Sequence, residues 1–151
     1  MATPRMAAGA LITDGGTRIL LVRPTYKDGW DIPGGYVEPS ESPAAASARE
    51  LVEEINLDRP TGRLLVVDWA PHPTEGDKIL FIFDGGQMSE DQAAALIVDG
   101  NEISEAKFHE ADALDGLMPE RLIRRLRTAY QAAQAQTTTY AEHGIPVAVG
   151  S

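Results

Sequence analysis

Residues 49–54 read Arg-Glu-Leu-Val-Glu-Glu. Glu50, Glu53 and Glu54 stand at i, i+3 and i+4, spacings that share one face of a helix. Three adjacent carboxylates repel one another, so the cluster is a poor structural device by itself. It makes sense around a hard divalent cation, because Mg²⁺ takes oxygen ligands and is usually shared with substrate phosphates. The chemistry to expect is magnesium-dependent reaction at phosphorus.

The flanking residues extend the pattern. Gly35 is followed by five residues and Glu41, then by seven residues and Arg49-Glu50. Leu51, Val52, Glu53-Glu54, Ile55, Asn56 and Leu57 complete the run. From Gly35 to Leu57 it resembles the Nudix box, the signature of hydrolases that act on nucleoside diphosphates linked to another group. Asn56 stands where the family usually has glycine. Asparagine is the non-glycine residue that best tolerates the left-handed conformation of a helix C-terminus, so the turn is preserved. The resemblance implies an αβα sandwich over roughly residues 6–135. It implies metal ligation by the Gly35 carbonyl, Glu50, Glu53 and Glu54, and a supporting ion pair between Arg49 and Glu41. The water-activating base falls to Glu53 or Glu54, with Glu102 as rival; Glu102 sits where the family often carries a further acid, and Glu105 is the reserve. Mg²⁺ is the implied cofactor, and Mn²⁺ suits the same ligands.

The elements needed to hold these groups can be read directly. Ser42-Pro43 is a helix start, with a capping hydroxyl and a proline suited to the first turn. Alanines at 44–46 and 48 favour helix, which should run from Pro43 to Ile55. The pattern predicts Ala44, Ala48, Leu51, Val52 and Ile55 on the buried side and the three acids on the other. Residues 31–35 read as a loop whose Gly34 and Gly35 let backbone approach a metal or phosphate. Strands are predicted at 6–12, 18–23, 62–69, 78–83 and 106–110, with a turn at Asp14-Gly15-Gly16. A helical turn is expected over 90–95 and a second main helix over 119–135. Strands flanking a helix, with a late second helix, indicate an α/β (α+β) fold with a mixed central sheet. One domain is expected over 1–135, with a loosely attached tail over 136–151.

Composition sets the bounds. With 151 residues the chain is long enough for one well-packed domain. It has no cysteine, so it has no disulfide or thiolate chemistry, and an isomerase reading of the fold that requires cysteine is set aside. The absence of an evident signal segment or transmembrane run reads as cytoplasmic. A net charge of −10 argues against a nucleic-acid polymer as partner. A small nucleotide substrate is expected instead, its charge met by metal and local cations. Arg23 and Trp30, beside the glycine loop, join Gly34 and Gly35 as candidate substrate contacts. Arg5 and Lys27 read as surface charges, and Tyr26, Phe81 and Phe83 as core more than base-stacking groups. His72, His109 and His143 read as surface residues. Pro73, sixteen residues after Leu57, falls where ADP-ribose-cleaving members tend to carry proline. The fold admits a homodimer, on which the sequence is silent. The reading is therefore hydrolysis of a nucleoside diphosphate derivative. The alternative is a non-catalytic nucleotide-sensing module, which the intact set of acids disfavours.

Overall fold

In the strands, successive side chains point to opposite faces, and here both faces are apolar. In β1 (Arg5–Thr13) and β2 (Arg18–Pro24), Leu11, Ile19 and Leu21 face one way while Ala10, Ile12, Leu20 and Val22 face the other. Each set must be covered, which forces a layer of helix on each side. The computed structural model, which describes residues 1–148, shows this arrangement.

The remaining strands are β3 (Gly34–Tyr36), β4 (Leu64–Trp69), β5 (Lys78–Gln87), β6 (Ile103–Glu110), β7 (Thr139–Glu142) and β8 (Ile145–Pro146). They form a mixed sheet in the order β6-β2-β1-β5-β4-β7-β8, with β3 also paired to β1. The β1/β5 and β4/β7 pairs are parallel and the others antiparallel. Helix α1 (Pro43–Ile55) and the short α2 (Glu90–Ala94) cover one face through Leu51, Ile55 and Ala93. Helix α3 (Glu120–Ala135) covers the other through Leu122, Ile123, Leu126 and Ala129. The three layers are the αβα sandwich expected. Among the described residues no helix is long and apolar enough to cross a membrane.

Both ends of α1 follow their sequence signals. Ser42 Oγ accepts from Ala45 N–H at 3.1 Å, and Pro43 opens the first turn. Asn56 closes the helix in the left-handed region (φ 54°, ψ 38°), with the Asn56 and Leu57 N–H groups returned to the Val52 and Leu51 carbonyls.

Three expectations are corrected. Val52 is 44% exposed, while Glu50 and Glu54 are buried at 8% and 3%. The inward face of α1 is therefore Ala46, Ser47, Glu50, Leu51, Glu54 and Ile55, two of the acids included. Gly34 and Gly35 belong to a strand, not a loop: they pair with Gly9 and Ala8 of β1. The segment after Gln136 is not loosely attached over its described part. β7 lies parallel to β4 in register Val66–Thr139 to Trp69–Glu142, and β8 folds back on it. Residues 149–151 of the expected tail lie outside the described residues.

Candidate active site

The acids gather where α1 meets β3. Glu54 Oε1 accepts from Gly34 N–H at 2.7 Å. Burial pushes the Glu54 carboxyl up to about 8, the nearby charges of Glu50, Asp31 and Glu102 adding to burial and the Gly34 hydrogen bond opposing it. Glu50 is also raised, first by burial, with Arg49 pulling the other way. Gly35 lies against Glu50 so closely that a β-carbon there would stand 2.5 Å from Oε1. Only glycine fits that contact unless the carboxylate moves.

Arg49 organises the cluster through all three guanidinium nitrogens. Nε and Nη2 make a fork onto Glu41 at 2.8 and 3.0 Å, and Nη2 also donates to the Tyr36 carbonyl at 3.2 Å. Nη1 donates to Glu50 and Glu53, each at 3.1 Å. The fork holds the Glu41 carboxyl below its usual range. One cation thus bridges the loop acid, the end of β3 and two helix acids. Among the described residues no three acids or imidazoles are already closed around a single point. Glu50 and Glu53 turn to Arg49, and Glu54 turns to Gly34.

A cleft of about 550 Å³ opens on the α3 face of the sheet. Ala7, Gly9, Leu80 and Ile82 line it from the sheet, and Leu122 and Leu126 from α3. Gly34 and Gly35 line it too, so the same two residues touch the cleft and the acids. At its mouth Tyr36 Oη and Lys78 Nζ both donate to Glu75, at 2.6 and 2.8 Å. These bonds pull the Glu75 carboxyl down to about 2, Lys78 contributing most.

The structure brings Glu41, Arg49, Glu50, Glu53, Glu54, Gly34 and Gly35 together. Glu102 is exposed in the turn before β6, near enough for its charge to bear on Glu50 and Glu54. Arg23 and Trp30 are not brought to the cleft. Trp30 packs edge-on against His109, with ring centroids 4.5 Å apart, and Arg23 lies over the Trp30 ring at 5.9 Å. A strand-end arginine and an aromatic next to a glycine run gave no sign of which way each would turn. Phe81 and Phe83 join the apolar layer under α1. His72 and His143, expected only at the surface, both line the cleft, as do Arg121 and Arg125. Arg125 carried no readable signal, because its partner Asp68 is 57 residues away.

The NUDIX domain matches residues 3–132. The YjhB protein of Bacillus subtilis (strain 168), assigned by name to the ADP-ribose pyrophosphatases, is 34% identical over 107 residues, covering 69% of this chain and 50% of its own length. This chain therefore spans half of that relative. A second Bacillus subtilis (strain 168) protein, assigned by name to the 8-oxo-dGTP diphosphatases, is 27% identical over 94% of this chain and 91% of its own. A solved structure of a UDP-X diphosphatase superposes with a TM-score of 0.74 at 25% identity, covering 93% of this chain and 68% of that one. With the box helix, the glycine strand and the sandwich all in place, the chain belongs to the Nudix hydrolase family.

Proposed function

We propose that this protein hydrolyses the diphosphate bond of a nucleoside diphosphate derivative, using a divalent cation held by Glu50, Glu53, Glu54 and the Gly35 carbonyl. The observation that carries this reading is Glu54, buried at 3% and fixed by Gly34 N–H, on the strand that also lines the cleft. An acid so placed needs a counter-charge or a proton. The donor set is all hard oxygen, which suits Mg²⁺ or Mn²⁺. Gly35, where a β-carbon would overlap Glu50, brings its backbone directly against that carboxylate.

When bound, the cation neutralises the diphosphate and favours a nucleophilic water. The chain's own residues do the rest. Glu54, with one oxygen tied to Gly34, is the group best placed to take the proton from water. The water oxygen bonds to phosphorus as the bridging P–O bond breaks. The products are a nucleoside monophosphate and the phosphorylated second group, or pyrophosphate from a triphosphate. Arg49 holds Glu50 and Glu53 in place while locked to Glu41. Glu102 supplies a further carboxylate on the solvent side. ADP-ribose, 8-oxo-dGTP and UDP-X, named in the three relatives, share a nucleoside and a phosphoanhydride. That common chemistry is the substrate class assigned to this chain.

The test is phosphate release, with a coupled phosphatase, from ADP-ribose, nucleotide sugars, dinucleoside polyphosphates and nucleoside triphosphates, with Mg²⁺ and with EDTA. EDTA-sensitive cleavage of one group supports the reading and identifies the substrate. Nucleotides that raise the melting temperature but are never cleaved would favour a sensing module instead.

A further inference from the structure

The far end of the cleft is built around a buried arginine. Asp68 in β4 is fully buried, and its Oδ2 accepts from Arg125 Nε at 2.6 Å. Its Oδ1 accepts from Gly144 N–H at 2.9 Å, so both oxygens are used. Arg125 is 7% exposed and lines the cleft. Its two terminal nitrogens make no hydrogen bond among the described residues, yet no polar side-chain atom is sealed off without a partner there. Those nitrogens are therefore open to the cleft. The guanidinium is fixed by its Nε and presents a coplanar pair of N–H donors.

Its neighbours add to this. Arg121, one turn earlier on α3, lines the same end and makes no ion pair or hydrogen bond among the described residues. His143 closes the rim from the β7–β8 turn, which lies beyond the residues matched by the family. The other basic residues lining the cleft are already matched: Lys78 by Glu75 at 2.8 Å and Lys27 by Asp31 at 2.9 Å. Arg121 remains as surplus positive charge in a chain of net charge −10.

We propose that this end of the cleft, Arg125 with Arg121 and His143, is a subsite for an anionic oxygen group, a carboxylate or phosphomonoester, carried by the substrate apart from the diphosphate that is cut. The register Tyr36–Ala7–Leu80–Asp68 puts Asp68 three strands from the glycine strand, roughly 14 Å at strand spacing. One diphosphate does not reach both ends, so the group recognised by Arg125 belongs to another part of the molecule. The inference rests on the hydrolase reading for the position of the diphosphate.

The test compares ligands that differ only in that group: UDP-glucuronate against UDP-glucose for a carboxylate, and NADP against NAD for a phosphomonoester. Affinity is measured by calorimetry on the Glu54→Gln protein, so that no turnover is needed, and cleavage is followed on the wild type. In at least one pair the anionic member should bind about tenfold or more tightly, the scale of one charge-assisted pair. The responding pair names the group. Arg121→Ala, at an exposed position, and Arg125→Lys, which keeps the charge but loses the fork, should each bring the ratio close to one. Equal affinity within both pairs, or variants that weaken both members alike, overturns the subsite. Preferential binding without cleavage by the wild type would leave the subsite standing and count against the hydrolase reading.

Discussion

Gly35 and Glu50 are in contact with no space between them: a β-carbon on Gly35 would stand 2.5 Å from Glu50 Oε1 and 2.7 Å from its Cδ. The backbone of Gly35 is ordinary strand paired to Ala8, so alanine is tolerable there as a conformation. What it displaces is the end of one side chain. Gly35→Ala should therefore keep a melting temperature close to wild type and lose about 10–100-fold in kcat/KM, the range seen when groups supporting a metal site are disturbed. Thermal unfolding and steady-state rates together decide this, and loss of fold with loss of rate would refute the assigned cause.

Glu54→Gln separates chemistry from folding in a different way. Glutamine keeps the shape and can still accept from Gly34 N–H, while removing a charge that burial already disfavours. The metal-free variant should be at least as stable as wild type near pH 7. Turnover should fall by about 10²–10⁴, as for loss of a proton acceptor. Wild-type turnover in this variant would remove Glu54 from the mechanism.

The α1 signals were legible because they are local. Ser42, Pro43, the alanines and Asn56 act within one turn, and both helix ends fall where those residues place them. Which face points inward was not legible. Counting apolar residues put Val52 inside and the acids outside, whereas the sheet here presents two glycines that leave room for Glu50 and Glu54. β3 itself was hidden because Gly34 and Gly35 have no side chain to alternate. β7 offers a four-residue strand with one buried residue, Ala141, and pairs with β4 more than 70 residues away. Arg125 reads as one more basic residue on a charged helix until Asp68 is placed against it.

Arg49 is expected to resist conservative replacement. Its fork onto Glu41 and its bonds to Glu50 and Glu53 use three nitrogens in one plane. A lysine has one charged nitrogen and serves at most part of that set. Arg49→Lys should lose about 10–100-fold in activity and require more Mg²⁺ for half-maximal rate. Unchanged Mg²⁺ dependence, with the rate lowered, would mean that Arg49 acts elsewhere than on the acids.

Glu75 makes the cleft mouth sensitive to acid. Its folded carboxyl lies at about 2 against an ordinary 4.5, because Lys78 and Tyr36 donate to the ionised form. A carboxylate lowered on folding contributes stability above its unfolded value and loses that contribution as pH falls toward the folded one. The melting-temperature gap between wild type and Glu75→Gln should be constant from pH 7 to about pH 5 and shrink below 4.5. A gap that widens on acidification would contradict the Lys78 and Tyr36 bonds as its source.

Asp68 and Arg125 also tie the C-terminal hairpin to the body of the fold. Both are buried, and the Asp68 carboxylate holds α3 and Gly144 at once. Thr128 adds a bond from α3 to the Gly144 carbonyl at 2.7 Å. Asp68→Ala leaves a buried guanidinium without its partner and frees the Gly144 amide, a loss of about 3–5 kcal/mol. For a chain of this size that is a fall of roughly 10 °C or more in melting temperature. Replacing both members with apolar residues, Asp68→Leu with Arg125→Met, should recover much of the loss, since no charge is then stranded. Amide exchange in 139–147 should rise in Asp68→Ala more than in β1 or β2. A single variant as stable as wild type, or a double variant less stable than the single, would show that the hairpin is held without help from the Asp68–Arg125 pair.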